Sequence, residues 1–180
     1  SKDTTESSEN NIELELFNAL ESLQEKLRKK YGLPGFSYSV SGGIEVHVGL
    51  GSKTALLIGF ANAINNLFGL NLSPSDVAAE TGRGGTSGIG YWASQQGGVF
   101  WDAGRAFPSE KSTFTPSSSS KCPPPALITS IDIPSYYICH FRFSEKGIYG
   151  HREKSIFRGF CQTSHEVTKE LIALVSGLLV

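Results

Sequence analysis

A short glycine-rich loop, Gly49–Thr54 (GLGSKT), has the composition of a phosphate-binding site. The apolar run that follows it predicts a helix over residues 53–68, so the loop ends at a helix N-terminus. Such a loop directs unpaired backbone N–H groups and the positive end of the helix dipole towards one point. The spacing matches neither the Walker A motif nor G-x-G-x-x-G, so a tight strand-to-helix connection made for packing remains the alternative. The predicted phosphate-binding residues are Gly49, Leu50, Gly51, Ser52, Lys53 and Thr54.

A second glycine-rich segment, residues 82–90 (GRGGTSGIG), is also suited to an anion. Five of its nine residues are Gly, which is more than one tight turn needs. The Arg83 guanidinium can bind an anion through two N–H groups, and Thr86 and Ser87 add hydroxyls. A mobile linker is the alternative, although the segment joins a predicted capped helix to a Trp-containing stretch. The substrate-binding residues predicted here are Arg83, Gly84, Gly85, Thr86 and Ser87.

Two further side chains lie next to these segments in the sequence. His47 lies on the polar face of a predicted strand before the first loop and is a further candidate for substrate binding. Asp102 ends a predicted strand, where a carboxylate could orient a substrate, bind a metal or cap a turn. The other histidines show no ligand spacing, and no Asp-Asp run offers a site for magnesium. No metal-ligating residues are therefore predicted.

The pattern of apolar residues predicts a chain of mixed helices and strands, of class α+β. Residues 1–10 contain no apolar side chain and predict a solvated tail. One helix has a clear start, with Ser73 as N-cap, Pro74 at its first position and Asp76 in a capping box. The Ser- and Pro-rich residues 109–126 predict a flexible connection. The capped helix extends over residues 74–81, and the other predicted elements are helices over 11–31, 53–68, 152–160 and after 163, and strands over 36–40, 44–48, 98–102 and 136–143.

The composition is that of an ordinary folded chain and excludes several classes of protein. The 180 residues are 39% hydrophobic, which excludes a disordered or collagen-like chain. With 16 basic and 17 acidic residues the net charge is −1, so nucleic acid is not an expected partner. The apolar run over residues 171–180 is too short to span a bilayer, so a membrane is not an expected partner either. Three Cys without a C-x-x-C pair favour a reducing cytoplasm.

Four stretches of the sequence resemble one protein superfamily. Residues 46–55 (VHVGLGSKTA) resemble the phosphate-binding loop of the GHMP kinase superfamily. Residues 82–90, 97–104 (GGVFWDAG) and 146–157 (KGIYGHREKSIF) resemble its branch of β-ribofuranosylaminobenzene 5′-phosphate synthases, archaeal enzymes of methanopterin biosynthesis. The resemblance extends from about residue 11 to residue 180.

This resemblance implies the two-part fold of the superfamily. Residues 11–108 would form an N-terminal domain like the second domain of ribosomal protein S5, and residues 127–180 would begin a ferredoxin-like C-terminal domain. In family terms, the opening strands of the first domain and the end of the second are missing from the chain. We therefore expect a partial chain whose fold is completed by the rest of the protein or by a partner, as in a homodimer.

One departure from the kinase pattern decides the activity that the resemblance implies. GHMP kinases carry an Asp at the position of Gly90, and a glycine cannot serve as that base. The synthase branch instead transfers phosphoribose from phosphoribosyl pyrophosphate to a 4-substituted benzoate, with loss of carbon dioxide and release of pyrophosphate. An ATP-dependent small-molecule kinase and a non-catalytic ligand-binding or assembly domain are the alternatives. The chain departs from the branch itself at Lys53, Ala103 and Arg105.

The resemblance also implies roles for the candidate residues. The Gly49–Thr54 loop would hold pyrophosphate, with Lys53 and Asp102 as the catalytic residues. Trp101 or Tyr91 would stack on the aromatic ring of the acceptor. The second phosphate or the benzoate carboxylate would be held by Arg83, Thr86 and Ser87. Mg²⁺ is the one candidate cofactor, and a phosphorylated small molecule is the expected partner.

Overall fold

The computed structural model describes residues 3–41, 48–85, 87–106, 109–110, 122–132 and 164–179, together with positions 135, 137, 139, 141, 155, 156 and 159. Its longer elements, in chain order, are the helices and strands α1 (Asp3–Tyr31), α2 (Ser52–Phe68), α3 (Pro74–Thr81), α4 (Ile89–Gln96), β1 (Val99–Asp102), β2 (Leu127–Ile131) and α5 (His165–Leu179). The expected mixture of helices and strands is confirmed, with one two-stranded sheet among the described residues.

The core lies where α1, α2 and α3 meet, and α4 closes it from the side of α2. In α1 and α2 the buried apolar residues are mostly spaced three or four apart, which is the period of one helix face. In α1, Leu20, Leu23 and Leu27 are buried and Leu16 is half-buried. The other buried apolar residues of this cluster are Leu57, Ile58, Ala61, Ile64, Val77, Ala78 and Tyr91.

Helix α1 begins at Asp3, well before the predicted start at residue 11. Residues 3–10 are therefore helical, where the sequence predicted a solvated tail. No Gly or Pro interrupts the sequence before Gly32, so nothing in this stretch stops the helix from continuing towards its N-terminus.

The prediction of a strand over residues 36–40 is wrong for the described structure. These residues cross α2 instead, with the Phe36 ring centroid 5.3 Å from that of Phe68 and the Tyr38 centroid 4.8 Å from that of Phe60. The alternation of apolar and Ser residues therefore reflects packing on a helix rather than pairing with a strand. Of the second predicted strand, residues 44–47 lie outside the described residues.

The prediction for α3 is confirmed in detail. The Ser73 hydroxyl accepts a hydrogen bond from the Asp76 backbone N–H at 3.2 Å, and the Asp76 carboxylate accepts one from the Ser73 N–H at 2.9 Å. This reciprocal pair satisfies two N–H groups that a helix start leaves without partners. The helix then ends at Gly82, where the second glycine-rich segment begins.

The short sheet consists of β1 and β2, which pair antiparallel with Val99 opposite Ile131 and Trp101 opposite Thr129. The prediction of β1 is confirmed, whereas β2 and α4 were not predicted. Tyr137, Cys139 and Phe141, the described residues of the predicted strand 136–143, are not in a strand. At the start of the last helix, the Ser164 Oγ accepts a hydrogen bond from the Val167 N–H at 3.3 Å. In the described part of the chain, no helix has both the length and the apolar character that crossing a membrane requires.

Candidate functional site

The first candidate loop leads into α2 through a left-handed turn. Gly51 is the N-cap of α2 with φ of 67°, a conformation that disfavours side chains with a Cβ, and it provides no side-chain cap. No acidic residue lies in the first turn of α2. The positive end of this helix therefore carries no carboxylate of its own, which suits the binding of an anion.

Lys53 does not extend away from the protein surface but turns towards α1. Its ammonium forms an ion pair with the carboxylate of Glu15, and both side chains are partly exposed, at 30% and 46% of their surface. The sequence did not predict this pair. The cation expected to bind phosphate is thus held beside the start of α2 by a carboxylate from another helix.

Arg83 extends the same charged cluster into the second glycine-rich segment. Its guanidinium is half-buried, and its Nε has no hydrogen-bond partner among the described residues. Burial lowers the pKa of Arg83, and the negative charge of Glu15 partly opposes that effect. Glu15 therefore pairs with Lys53 of the first segment and also acts electrostatically on Arg83 of the second.

The start of α4 lies against the start of α2. A Cβ added at Gly90 would lie 3.5 Å from Cγ2 of Thr54, an ordinary contact distance. Gly84 and Gly85 are buried and Ser87 is exposed. The structure thus brings the Gly82–Gly90 segment to the same end of α2 as the Gly49–Thr54 loop. The predicted site residues His47 and Thr86 lie outside the described residues.

Asp102 holds backbone groups in the described structure. Its Oδ2 accepts a hydrogen bond from the Gly88 N–H at 2.6 Å, and its Oδ1 accepts one from the Gly104 N–H at 2.9 Å. These bonds tie the end of the glycine segment to the end of β1. The Asp102 carboxylate therefore caps a turn, which is one of the roles that the sequence allowed for it.

Replacing Asp102 by Asn should lower the free energy of unfolding by about 1–3 kcal/mol, because one amide oxygen cannot serve both N–H donors. Denaturant unfolding followed by circular dichroism would measure this loss. Asp132→Asn, at an exposed position just after β2, is the matched control and should change stability by less than about 0.5 kcal/mol. Equal effects at the two positions would argue against Asp102 as a positioning residue.

The two candidate aromatic residues lie in different environments. Tyr91 is only 2% exposed and packs edge-on against Trp92, with ring centroids 4.9 Å apart. The suggestion that Tyr91 stacks on a substrate is therefore wrong for this structure. Trp101 is half-buried, and it faces away from the buried Phe100 because neighbouring strand residues point to opposite sides.

Arg105 is the residue near the site that the sequence did not assign. One guanidinium nitrogen donates to the backbone oxygen of Gly84 at 2.9 Å and also to that of Pro123. Trp92 makes a parallel link, because its Nε1 donates to the Pro125 oxygen at 3.2 Å. Residues 122–126, predicted as the end of a flexible connection, therefore pack under the glycine segment. The only sequence signal was that Arg105 departs from the family pattern.

The candidate cofactor Mg²⁺ finds no ligand cluster in the described part of the chain, where no three His, Cys, Asp or Glu side chains group together. Glu15 is paired with Lys53, and the oxygens of Asp102 hold backbone N–H groups. The described side chains therefore do not fit a metal ion held by the protein alone.

Comparison with known proteins supports the resemblance read from the sequence. Residues 16–95 match the family model described as the GHMP kinases N terminal domain. The GHMP resemblance is confirmed. The GHMP match runs from α1 to α4 and includes both glycine-rich segments. Lys53 and Arg83 thus lie within the matched region, and Glu15 lies one residue before it.

Three archaeal relatives, each named beta-ribofuranosylphenol 5'-phosphate synthase, are similar over most of the chain. The protein of Archaeoglobus fulgidus is 36% identical over 141 residues, which are 78% of this chain and 45% of the relative. That of Methanothermobacter thermautotrophicus is 36% identical over 128 residues, or 70% and 39%. That of Methanocaldococcus jannaschii is 35% identical over 132 residues, or 72% and 40%. The chain thus spans less than half the length of these curated relatives.

Proposed function

We propose that the full-length protein is a decarboxylating pentosyltransferase of the GHMP superfamily that acts in methanopterin biosynthesis. The donor is phosphoribosyl pyrophosphate and the acceptor is a 4-substituted benzoate. The relatives are named for a ribofuranosylphenol product, whereas the branch recognised in the sequence is named for an aminobenzene. This difference favours 4-hydroxybenzoate as the acceptor, because loss of its carboxylate leaves a phenol.

The proposed reaction exchanges a carboxylate on the acceptor for the ribose. The ring carbon that bears the carboxylate bonds to C1 of the ribose, and the bond from C1 to pyrophosphate breaks. Pyrophosphate leaves with the electron pair of that bond. The carboxylate then leaves as carbon dioxide, and its bonding electrons restore the aromatic ring. The electron-donating hydroxyl opposite the carboxylate stabilises the positive charge on the ring before this last step.

The meeting of the two glycine-rich segments at one charged cluster is the observation that supports this proposal most. Gly90 of the second segment lies against Thr54 at the start of α2, where Glu15 pairs with Lys53 and also acts electrostatically on Arg83. Cations and a helix N-terminus fixed at this point would stabilise the charge that develops on departing pyrophosphate. Electrostatic stabilisation and the alignment of donor and acceptor would then supply most of the rate.

The other candidate residues would bind the rest of the donor and the acceptor or position the loop. Ser87, with His47 and Thr86, would contact the second phosphate or the carboxylate of the acceptor, and Trp101 would stack on its ring. Asp102 would act as a positioning residue through the backbone groups that it holds. Because the described residues offer no cluster of metal ligands, Mg²⁺ would enter bound to the pyrophosphate of the donor.

The proposal is tested on the full-length protein with phosphoribosyl pyrophosphate and carboxyl-labelled 4-hydroxybenzoate. Release of labelled carbon dioxide should match release of pyrophosphate one to one. Lys53→Ala and Arg83→Ala should each lower kcat/KM by about 10- to 100-fold, because each removes a charged hydrogen bond to the donor.

Lys29→Ala is the control, because Lys29 pairs with Glu25 on the exposed side of α1 and should leave turnover unchanged. Phosphate transfer from ATP to an alcohol, without release of carbon dioxide, would instead identify a GHMP-type kinase. Ligand binding without either reaction would favour the non-catalytic alternative.

A further inference from the structure

Glu15 is the one acidic side chain that the described structure pairs with Lys53, and it comes from a part of α1 with few apolar contacts. Its neighbours Leu14 and Phe17 are 55% and 51% exposed, whereas the buried stripe of α1 begins at Leu20. The Glu15–Lys53 pair is therefore one of the contacts that α1 makes with α2 at this end of the helix. The pair joins the N-terminal half of α1 to the first turn of α2.

An anionic ligand could readily replace Glu15 as the partner of Lys53. Both side chains are partly exposed, and pairs of that kind typically contribute less than about a factor of five to a folding equilibrium. A pyrophosphate carries more negative charge than one carboxylate and also accepts hydrogen bonds from the N–H groups at the start of α2. Lys53 would therefore bind a pyrophosphate more strongly than it binds Glu15.

We propose that Glu15 acts as an internal competitor for the pyrophosphate site, and that the donor displaces its carboxylate from Lys53 when it binds. This inference rests on the proposed function, since it takes Lys53 as a pyrophosphate ligand. Glu15 partly neutralises Lys53, with which it pairs, and so lowers the affinity for the anion. Its release would also loosen the contact between α1 and α2 near residues 14–18.

The first test is the affinity of the full-length protein for inorganic pyrophosphate, measured by isothermal titration calorimetry. Glu15→Gln should bind pyrophosphate about fivefold more tightly than wild type, because the variant no longer offers a competing charge. Glu25→Gln removes one negative charge from the exposed side of α1, where Glu25 pairs with Lys29, and should change the affinity by less than about twofold. The double variant with Lys53→Ala should bind no more tightly than Lys53→Ala alone.

The second test is hydrogen exchange of the α1 amides. If the Glu15–Lys53 pair had only a structural role, pyrophosphate would not change this exchange. Pyrophosphate should speed exchange near residues 14–18 in wild type and cause no further increase in Glu15→Gln. If Glu15→Gln binds pyrophosphate no more tightly while Lys53→Ala weakens binding, the proposed displacement of Glu15 is overturned but the proposed pyrophosphate site is not. If Lys53→Ala and Arg83→Ala both leave pyrophosphate binding unchanged, both the proposed site and the proposed displacement of Glu15 are overturned.

Discussion

Replacing Glu80 by Gln is expected to lower the free energy of unfolding by about 3 kcal/mol at neutral pH, a large part of the stability of a small domain. Glu80 lies on α3 with only 4% of its side chain exposed, and three groups from α1 surround it. Lys26 Nζ lies 2.9 Å from Oε2, Lys30 pairs with Oε1, and the Tyr31 hydroxyl donates to Oε1 at 2.9 Å. A neutral amide would leave both ammonium groups without their anion.

The groups around Glu80 also determine how the free energy of unfolding changes with pH. Burial acts to raise the pKa of Glu80, but the bonds from Lys30, Lys26 and Tyr31 outweigh it and lower that pKa from 4.5 to about 2. A carboxyl group with a lower pKa in the folded state stabilises the fold above its unfolded pKa. This contribution should be complete above pH 4.5 and should be lost as the pH falls towards 2. Glu80→Gln should remove that loss, so its stability should vary less over this range.

Denaturant unfolding of wild type and variant between pH 2 and 7 would measure both effects. Glu25→Gln is the matched control, because Glu25 pairs with Lys29 on the exposed side of α1. It should cost less than about 0.5 kcal/mol. A loss at Glu80 as small as that at Glu25 would mean that the buried cluster does not hold α1 against α3.

The parts of the fold that the sequence predicted depend on neighbouring residues. Ser73, Pro74 and Asp76 specify the start of α3 because a capping box forms within a single turn. The alternation over residues 36–40 was misread because a chain lying across a helix also buries every second side chain, and only Phe60 and Phe68 of α2 reveal this. Strand β2 contains the β-branched residues Ile128, Thr129 and Ile131, which strands favour, but its partner β1 lies on the other side of the Ser- and Pro-rich connection.

In the candidate site, too, the features set by neighbouring residues were predicted and the long-range contacts were not. Glycine content and helix position identified both segments, because the ability to approach an anion closely is a property of the local backbone. The direction of Lys53 could not be predicted, because its partner Glu15 lies 38 residues away. Arg105 acts over 21 residues on the Gly84 oxygen, and its role depends on how β1 and residues 122–126 fold back. Long-range contacts therefore decide which of the candidate side chains face the site.

Replacing Gly84 by Ala is the second change from which we expect a large effect, a loss of about 2–5 kcal/mol in the free energy of unfolding. Its φ of 82° is left-handed, which costs a residue with a Cβ about 1–2 kcal/mol. The added Cβ would also lie 2.7 Å from Cγ of Pro124, and overpacking of this kind costs about 1–3 kcal/mol. Because Arg105 ties the Gly84 oxygen to Pro123, the segment cannot move away without breaking that link.

Gly32→Ala separates the two causes of this loss. Gly32 has a φ of 63° and open space around its Cβ position, so it shares the backbone strain without the clash. Thermal unfolding should show the larger loss at Gly84, and the difference between the variants measures the contact with Pro124. Displacement of the segment should also move Arg83, so Gly84→Ala should weaken pyrophosphate binding, while Gly32→Ala should not. Equal losses of stability, with unchanged binding in both variants, would mean that residues 122–126 do not hold the glycine segment in place.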